Sequence, residues 1–325
     1  MSSLTLTQAY QLGLREEMKR DPRIFVLGTD LVERGGHWAQ VKGFAAEFGA
    51  ARIRDTPISE AAMVAAGVGA ALNGMRPVVD LNFIDFIFGA MDEVVNQAAK
   101  IRYMWGVPVP LVIRGTAGVS FGGAQHSNSI EAWFAHTPGL LVVMPATPAD
   151  TRGLIKSALQ GEDPVIFLMH KMLTGVRGEV NADDEPVPIG SARVARPGRD
   201  LTIVAYSVMV PRALEAAGML SKDGIEAEVI DLRTVFPIDF DLVATSVKKT
   251  GKVIVTGEAP RHGGVIGEIA ATIQETMFDH LDGPVLRVGG GHAPIPFSPP
   301  LFDCLIPHAA DIDRAARSML VRSGV

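Results

Sequence analysis

Strand-length apolar runs that alternate with helical segments constrain this chain more than any other feature. Arg23-Ile24-Phe25-Val26-Leu27-Gly28, then Arg76 to Leu81, Val109 to Arg114 and Pro164 to Leu168, are short and rich in β-branched residues. Runs of this kind belong to strands buried on both faces, as in parallel sheets covered by helices. Helical patterning lies between them: from Thr5 through Leu12, Leu14 and Met18, from Val41 to Phe48, after Pro57, from Asp92 to Tyr103 and from Pro148 to Gln160. After a polar, acidic, proline-bearing stretch from Asn181 to Pro188, the alternation resumes at Leu201 to Tyr206, Ala227 to Leu232 and Lys252 to Thr256. The chain therefore reads as α/β, with two open, mostly parallel sheets. Its 325 residues suffice for two cores. Residues 1–180 are expected to form one domain, 181–190 a linker and 191–325 a second domain.

The charge balance excludes some function classes. A net charge of −6 with no long run of one sign carries no nucleic-acid footprint. The single cysteine, Cys304, rules out an intramolecular disulfide framework and a thiolate metal cluster. Met1-Ser2-Ser3-Leu4-Thr5 lacks the charged start and apolar block of a secretory signal, and no apolar run approaches membrane-spanning length. A cytoplasmic protein is the expectation.

Chemistry-bearing residues gather at two places. Asp55-Thr56-Pro57-Ile58-Ser59-Glu60 precedes the small-residue run Ala61 to Ala71. Pro57 suits a first helical turn, and Thr56 or Ser59 can cap it. Glu60 would then stand at the mouth of a helix lined by alanine and glycine, where a carboxylate also reads simply as a dipole-stabilising end residue. The second place is the glycine-rich loop Gly115 to His126 behind an apolar strand. It lacks the Gly-Lys-Ser/Thr ending and the dinucleotide spacing of phosphate-binding loops. No two histidines have a metal-binding helical spacing, and none pairs with a serine in a nucleophile-elbow motif.

The string Asp55 to Glu60 resembles the cofactor-activating segment of E1 β subunits of thiamine-diphosphate-dependent 2-oxoacid dehydrogenases. This transketolase-like family includes pyruvate, branched-chain oxoacid and acetoin dehydrogenases. Gly74 to Asp80, Asp85-Phe86, Val95 to Tyr103 and Ala124-Gln125-His126-Ser127 resemble the family's further blocks in the same order, and the likeness runs from about Leu4 to about Met319. The resemblance implies a transketolase-like pyrimidine-binding domain followed by a transketolase C-terminal domain.

The resemblance also implies roles. Thiamine diphosphate must lose a proton from a carbon that is barely acidic in water. Glu60, buried among Ala61, Ala62 and Ala65 and held protonated, would hydrogen-bond the pyrimidine nitrogen and promote that loss. Phe86 would stack on the aminopyrimidine, with Ile58 and Asn82 also at the cofactor, and His126 would face the reacting carbon. Potassium would be held through backbone carbonyls at Leu111, Ala158, Leu159, Gly161 and Asp163, positions that equally suit a plain helix end. Gly28-Thr29-Asp30 departs from the family's Gly-Glu-Asp, so an acidic proton relay between two active sites loses its glutamate here.

The chain has no Gly-Asp-Gly followed at family spacing by Asn, so the diphosphate and Mg²⁺ would be held by a separate E1 α subunit in an α2β2 heterotetramer. A lipoyl acyltransferase E2 would accept the product. Ile166 to Leu173 and His292 to Ser298 are similar to acetoin dehydrogenase β subunits, with pyruvate and branched-chain oxoacids as the alternative substrates. The rival readings are a non-catalytic scaffold paralogue, which would normally lose the glutamate, and a stand-alone transketolase-type synthase, which would need the missing motif.

Overall fold

The computed structural model describes residues 2–120, 122–181 and 185–322; Phe121 of the glycine-rich loop and Ala182 to Asp184 of the linker lie outside the described residues. Two compact units emerge, residues 1–117 with 133–189, and residues 118–132 with 190–325. The glycine-rich loop thus clusters with the second unit, whereas the run of strands and helices predicts a first domain unbroken to 180.

The first unit carries strands β1 (Ser2–Thr5), β2 (Ile24–Gly28), β3 (Ile53–Asp55), β4 (Arg76–Phe83), β5 (Val112–Ala117), β6 (Leu141–Val143), β7 (Val165–His170) and β8 (Arg177–Val180). Helices α1 (Leu6–Arg20), α2 (Phe44–Phe48), α3 (Glu60–Leu72), α4 (Ile101–Trp105) and α6 (Pro148–Gln160) connect them, and α5 (Glu131–Ala135) has its first two residues counted with the second unit. Within this unit the central strands run β6-β7-β5-β4-β2-β3, and all these pairings are parallel. Every residue of β2, β5 and β7 is buried, as continuous apolar runs demand. β1 and β8 form a separate antiparallel pair.

Local sequence explains the helix starts. The Thr5 hydroxyl accepts the Gln8 N–H at 3.1 Å while Gln8 Oε1 accepts the Thr5 N–H at 2.9 Å, a reciprocal cap for α1. Thr147 caps α6 and Pro148 opens it. α1 packs on α6, and a Cβ at Gly13 would lie 2.8 Å from Arg152 O and 2.7 Å from Ile155 Cγ2, so only glycine permits that approach. One helix is shorter than its apolar periodicity predicts: Gly43, at φ 83°, delays α2 to Phe44. The helix predicted over 92–103 is present as a π-helical segment at Glu93–Ala98 followed, after two turn residues, by α4.

The second unit contains β9 (Arg193–Arg196), β10 (Leu201–Ala205), β11 (Ala227–Asp231), β12 (Thr234–Phe236), β13 (Val253–Pro260) and β14 (Leu286–Gly290). Its helices are α7 (Met209–Ser221), α8 (Phe240–Thr250), α9 (Val265–Thr276), α10 (Pro299–Asp303) and α11 (Ala309–Arg322). Its sheet runs β14-β13-β10-β11-β9, parallel except for the antiparallel edge strand β9. The protein is a two-domain α/β fold with mostly parallel sheets. Among the described residues no helix is long and apolar enough to cross a membrane.

Candidate active site

In the first sheet the chain leaves β2 toward β3 on one side and returns as β4 on the other. Such a reversal opens a crevice beyond the carboxyl ends of the strands, where open α/β sheets bind ligands. Thr29 follows β2, Asp55 to Glu60 follow β3, and Asn82 and Phe86 lie at and after the end of β4. The topology therefore brings Glu60, Ile58, Asn82, Phe86 and Thr29 to one end of one sheet.

Glu60 is the first residue of α3 and is half-buried. Ser59 occupies the capping position without a side-chain bond, and the Thr56 hydroxyl is buried without a partner, so the capping expected from these two residues is not made. Instead the Thr56 N–H donates to Gly28 O at 2.9 Å and ties the motif to the end of β2. Met63, Val64, Gly67 and Val68 bury the inner face of α3, which packs on β4 and on the 3₁₀ turn Ile84–Ala90. A Cβ at Gly67 would lie 2.5 Å from Val79 Cγ2, so glycine sets this close spacing. The opposite face is open: Ala62, Ala65 and Ala66 are exposed, and Ile58 is 79% exposed. The chain alone thus does not bury Glu60 among alanines: among the described residues Ala62, Ala65 and Ala66 on that side stay exposed.

Asn82 is locked into the scaffold. Its backbone is left-handed at φ 55°. Its Oδ1 accepts the His37 N–H and the Gln40 Nε2–H, each at 3.0 Å, and its Nδ2 donates to Thr29 O at 3.2 Å. Its own N–H donates to Asp80 Oδ1 at 2.8 Å. With these bonds its side chain braces the strand ends. The Phe86 ring is 41% exposed and stands edge-on to Phe83, with ring centroids 6.5 Å apart and planes at 82°. Phe83 is in turn held by His37 at 4.8 Å, Trp38 at 6.0 Å and the Lys171 ammonium at 5.7 Å. Phe86 is therefore a presented ring on a packed aromatic base.

Beneath these groups lies a polar network in which the sequence patterning assigns no role. The β4–β5 register sets Asp80 directly beside Arg114, and both are fully buried, with Arg114 Nη1 3.2 Å from Asp80 Oδ1. Gln40 Nε2 donates to Asp80 Oδ2 at 2.9 Å. Burial, followed by the charge of Asp80, pushes the Tyr10 phenol far above its ordinary range. A second buried pair joins Lys171 Nζ to Asp85 Oδ2 at 3.0 Å. Asp55 Oδ1 accepts the Leu31 and Val32 N–H groups at 2.5 and 3.0 Å and fixes the loop after β2. Opposite charges at matching places in two apolar runs, Val78-Val79-Asp80 and Val112-Ile113-Arg114, are the sequence signal for the central pair.

The carbonyl positions named for potassium lie at the other end of the sheet. Leu111 precedes β5, Ala158 to Gly161 close α6, and Asp163 precedes β7. Here Arg76 Nη1 donates to Leu159 O at 2.9 Å and to Gly161 O at 2.6 Å. Leu111 O accepts the Val165 N–H at 2.8 Å, and the Asp163 carboxylate accepts from Arg102 at 2.7 Å. A guanidinium of the chain itself thus meets two of these carbonyls. Among the described residues no group of three or more His, Cys, Asp or Glu is arranged to hold a metal.

His126, half-buried, stands on the loop that belongs with the second unit. Buried Glu258 of β13 pins both arms of that loop, its Oε2 accepting the Val119 N–H at 2.9 Å and the Ser129 hydroxyl at 3.0 Å. Val119 packs with Phe302 and Ile306. At Gly123, φ 77°, a Cβ would lie 2.3 Å from the Phe297 ring, so backbone conformation and space both demand glycine. Tyr206 donates to Glu131 Oε1 at 2.7 Å, and burial, with the Glu131 charge second, raises its phenol well above the ordinary value.

Comparison with known proteins accounts for both units. Residues 2–176 match the transketolase pyrimidine binding domain and residues 190–312 the transketolase C-terminal domain. The chain is 42% identical to the 2-oxoisovalerate dehydrogenase subunit beta of Bacillus subtilis (strain 168), over 98% of this chain and 99% of the relative. It is 44% identical to the acetoin:2,6-dichlorophenolindophenol oxidoreductase subunit beta of Cupriavidus necator, over 98% of this chain and 97% of the relative. The chain belongs to the transketolase-like family of E1 β subunits. The pyruvate dehydrogenase E1 component subunit beta of Rhizobium meliloti is 39% identical, over 98% of this chain and 70% of the relative. Among solved structures, a split-gene transketolase described as an inactive β4 tetramer is similar at a TM-score of 0.81 and 28% identity, over 98% of this chain and 99% of that one. This E1 β chain thus has the fold that its strand and helix alternation predicts.

Proposed function

We propose that this E1 β chain is the activating half of a thiamine-diphosphate-dependent dehydrogenase and that Glu60 is its central catalytic residue. The observation that carries the reading is the half-buried Glu60 carboxyl at the first turn of α3, beyond the strand ends where the sheet order reverses. The residues present fit an aminopyrimidine: an exposed aromatic ring at Phe86 on a rigid base, an exposed apolar side chain at Ile58 and the Glu60 carboxyl. When bound, thiamine diphosphate supplies an acidic carbon and an electron sink for cleaving a bond next to a carbonyl. Glu60 would hydrogen-bond the ring nitrogen, Phe86 would stack on the ring, and Asn82 would act at one remove by bracing the strand ends. His126 would serve as a donor to the oxygen of the substrate carbonyl.

The open face of α3, with Ile58, Ala62, Ala65 and Ala66 exposed, fits coverage by another polypeptide. An E1 α subunit in an α2β2 assembly would dry Glu60 and supply the grip on diphosphate and Mg²⁺, and an E2 acyltransferase would take the acyl fragment. Residues 1–180 form the pyrimidine-binding domain, 181–190 the linker and 191–325 the C-terminal domain. The substrate shares the carbonyl chemistry of 2-oxoacids and acetoin, since relatives named for both classes lie at 42% and 44% identity. A soluble cytoplasmic complex is the setting proposed. Potassium held through backbone carbonyls at Leu111, Ala158, Leu159, Gly161 and Asp163 stays part of the proposal, with Arg76 Nη1 donating to two of these carbonyls, Leu159 O and Gly161 O.

The test is turnover of the complex reconstituted with its α partner, using an artificial electron acceptor and a panel of pyruvate, branched oxoacids and acetoin. Glu60→Ala should lower turnover about 10²–10⁴-fold. Unchanged turnover would remove the catalytic assignment and leave the scaffold reading.

A further inference from the structure

We propose that the second unit carries an oxyanion pocket for a phosphorylated small molecule, formed by Arg261, Arg287, His262 and His292. These four side chains, with Gly263, Gly290 and Gly291, line a concavity of about 470 Å³. That volume lies within the range of small-molecule sites. None of the seven lining residues is acidic.

The charge of this recess is left unneutralised by the protein's own carboxylates among the described residues. Most of the protein's arginines are matched, as Arg15 is by Glu47, Arg23 by Asp21, Arg114 by Asp80, Arg152 by Glu16, Arg193 by Asp231 and Arg317 by Asp313. Among the described residues neither Arg261 nor Arg287 has a carboxylate partner, and the guanidinium of Arg287 makes one hydrogen bond, from Nη1 to Arg261 O at 3.5 Å. Two permanent positive charges left together at an open surface recess, with Arg261, His262 and His292 exposed and Arg287 half-buried, make the potential there positive.

Glycine builds the rest. A Cβ at Gly289 would lie 2.9 Å from Arg261 Cγ, so the arginine stem is laid against bare backbone. A Cβ at Gly267 would lie 3.2 Å from Arg287 Nη1, so α9 leaves room for the second guanidinium. The Arg261 N–H donates to Gly290 O at 3.2 Å and ties the two lining segments together. The His262 and His292 rings meet at 5.7 Å with planes at 69°, adding ring nitrogens to the same rim.

Two guanidinium forks and two imidazoles suit an anion with several terminal oxygens and a charge near two. A phosphoryl group meets that requirement and a monocarboxylate does not. The 470 Å³ also leaves space beside it for an organic body.

The test uses the full-length chain titrated with inorganic pyrophosphate at constant ionic strength. The imidazole C–H signals of His262 and His292 are followed by NMR and the affinity is measured by calorimetry. Saturable shifts of both histidines are expected, together with at least tenfold weaker affinity in Arg261→Gln/Arg287→Gln and no comparable shifts with acetate. Binding of ADP more tightly than pyrophosphate would assign the remaining volume to a nucleoside, whereas equal binding would assign recognition to the phosphoryl groups alone; either supports the pocket. Glu60→Ala should bind pyrophosphate as the unmodified chain does, so this result and the catalytic one are read separately. Absence of shifts at His262 and His292 in the unmodified chain, which needs no variant to fold, would overturn the pocket. So would an unchanged affinity in the double variant.

Discussion

Replacing Arg114 with methionine isolates the pair that organises the strand ends. Arg114 and Asp80 are both fully buried, with Nη1 3.2 Å from Oδ1. At an effective dielectric of about 20 their attraction is about 5 kcal/mol, and the cost of desolvating two ions offsets most of it. Arg114→Met leaves the Asp80 carboxylate in place with the Gln40 amide and the Asn82 N–H as its polar contacts. Removing one partner of a buried pair costs about 3–5 kcal/mol, whereas replacing both by apolar groups is often near neutral. The single substitution should therefore lower the thermal midpoint by on the order of 10 °C. Asp80→Leu/Arg114→Met should be at least about 1 kcal/mol more stable than the sum of the two single effects predicts. Denaturant and thermal unfolding of the four proteins close the cycle. Because Asp80 also carries Gln40 and Asn82, turnover of the reconstituted complex should fall in Arg114→Met. A loss below about 1 kcal/mol, or simple additivity, would show that the two buried charges do not depend on each other.

Arg76→Met should remove the guanidinium from Leu159 O and Gly161 O, lowering the thermal midpoint and making it rise with KCl relative to NaCl more than that of the unmodified chain does. An equal potassium preference in the two proteins would show that Arg76 does not contribute at these carbonyls. Asp21 has its carboxyl pulled down to about 2 by hydrogen bonding from Arg23, against an ordinary 3.8. A carboxyl lowered on folding adds stability above the unfolded value, and that stability is lost as pH falls through the folded one. Water around the exposed Arg23 side chain screens the pair, so the loss between pH 4 and pH 2 should be about 1 kcal/mol and be absent in Asp21→Asn. An identical acid dependence in the variant would contradict it.

Local patterns reveal the parts of this fold that are decided locally. The strands at Ile24, Val112 and Val165 follow from uninterrupted apolar runs, and the start of α1 follows from Thr5 and Gln8. Glu60 at the start of α3 follows from the step between Pro57 and the alanines, although the helix opens three residues after Pro57 and without a side-chain cap. Long-range pairings leave weaker traces. That residues 118–132 group with the second unit depends on Glu258 and Phe302, more than 100 positions away, and no local periodicity encodes such contacts. The expected burial of Glu60 by alanines fails because amphipathic patterning cannot distinguish a face covered by the same chain from one left for another polypeptide. Arg76 at the carbonyls of α6 was equally hidden, since a strand-opening arginine looks solvent-facing until the sheet places it beside a helix end.

In the proposed function, Glu60 would make the reactive carbon of thiamine diphosphate give up its proton. Deuterium exchange at that carbon, measured by quenched-flow NMR on the complex with the α subunit, tests it without requiring the substrate to be known. Exchange in Glu60→Gln should be at least about 100-fold slower than in the unmodified complex, with cofactor still bound. Equal exchange rates at equal occupancy would show that Glu60 does not activate the cofactor.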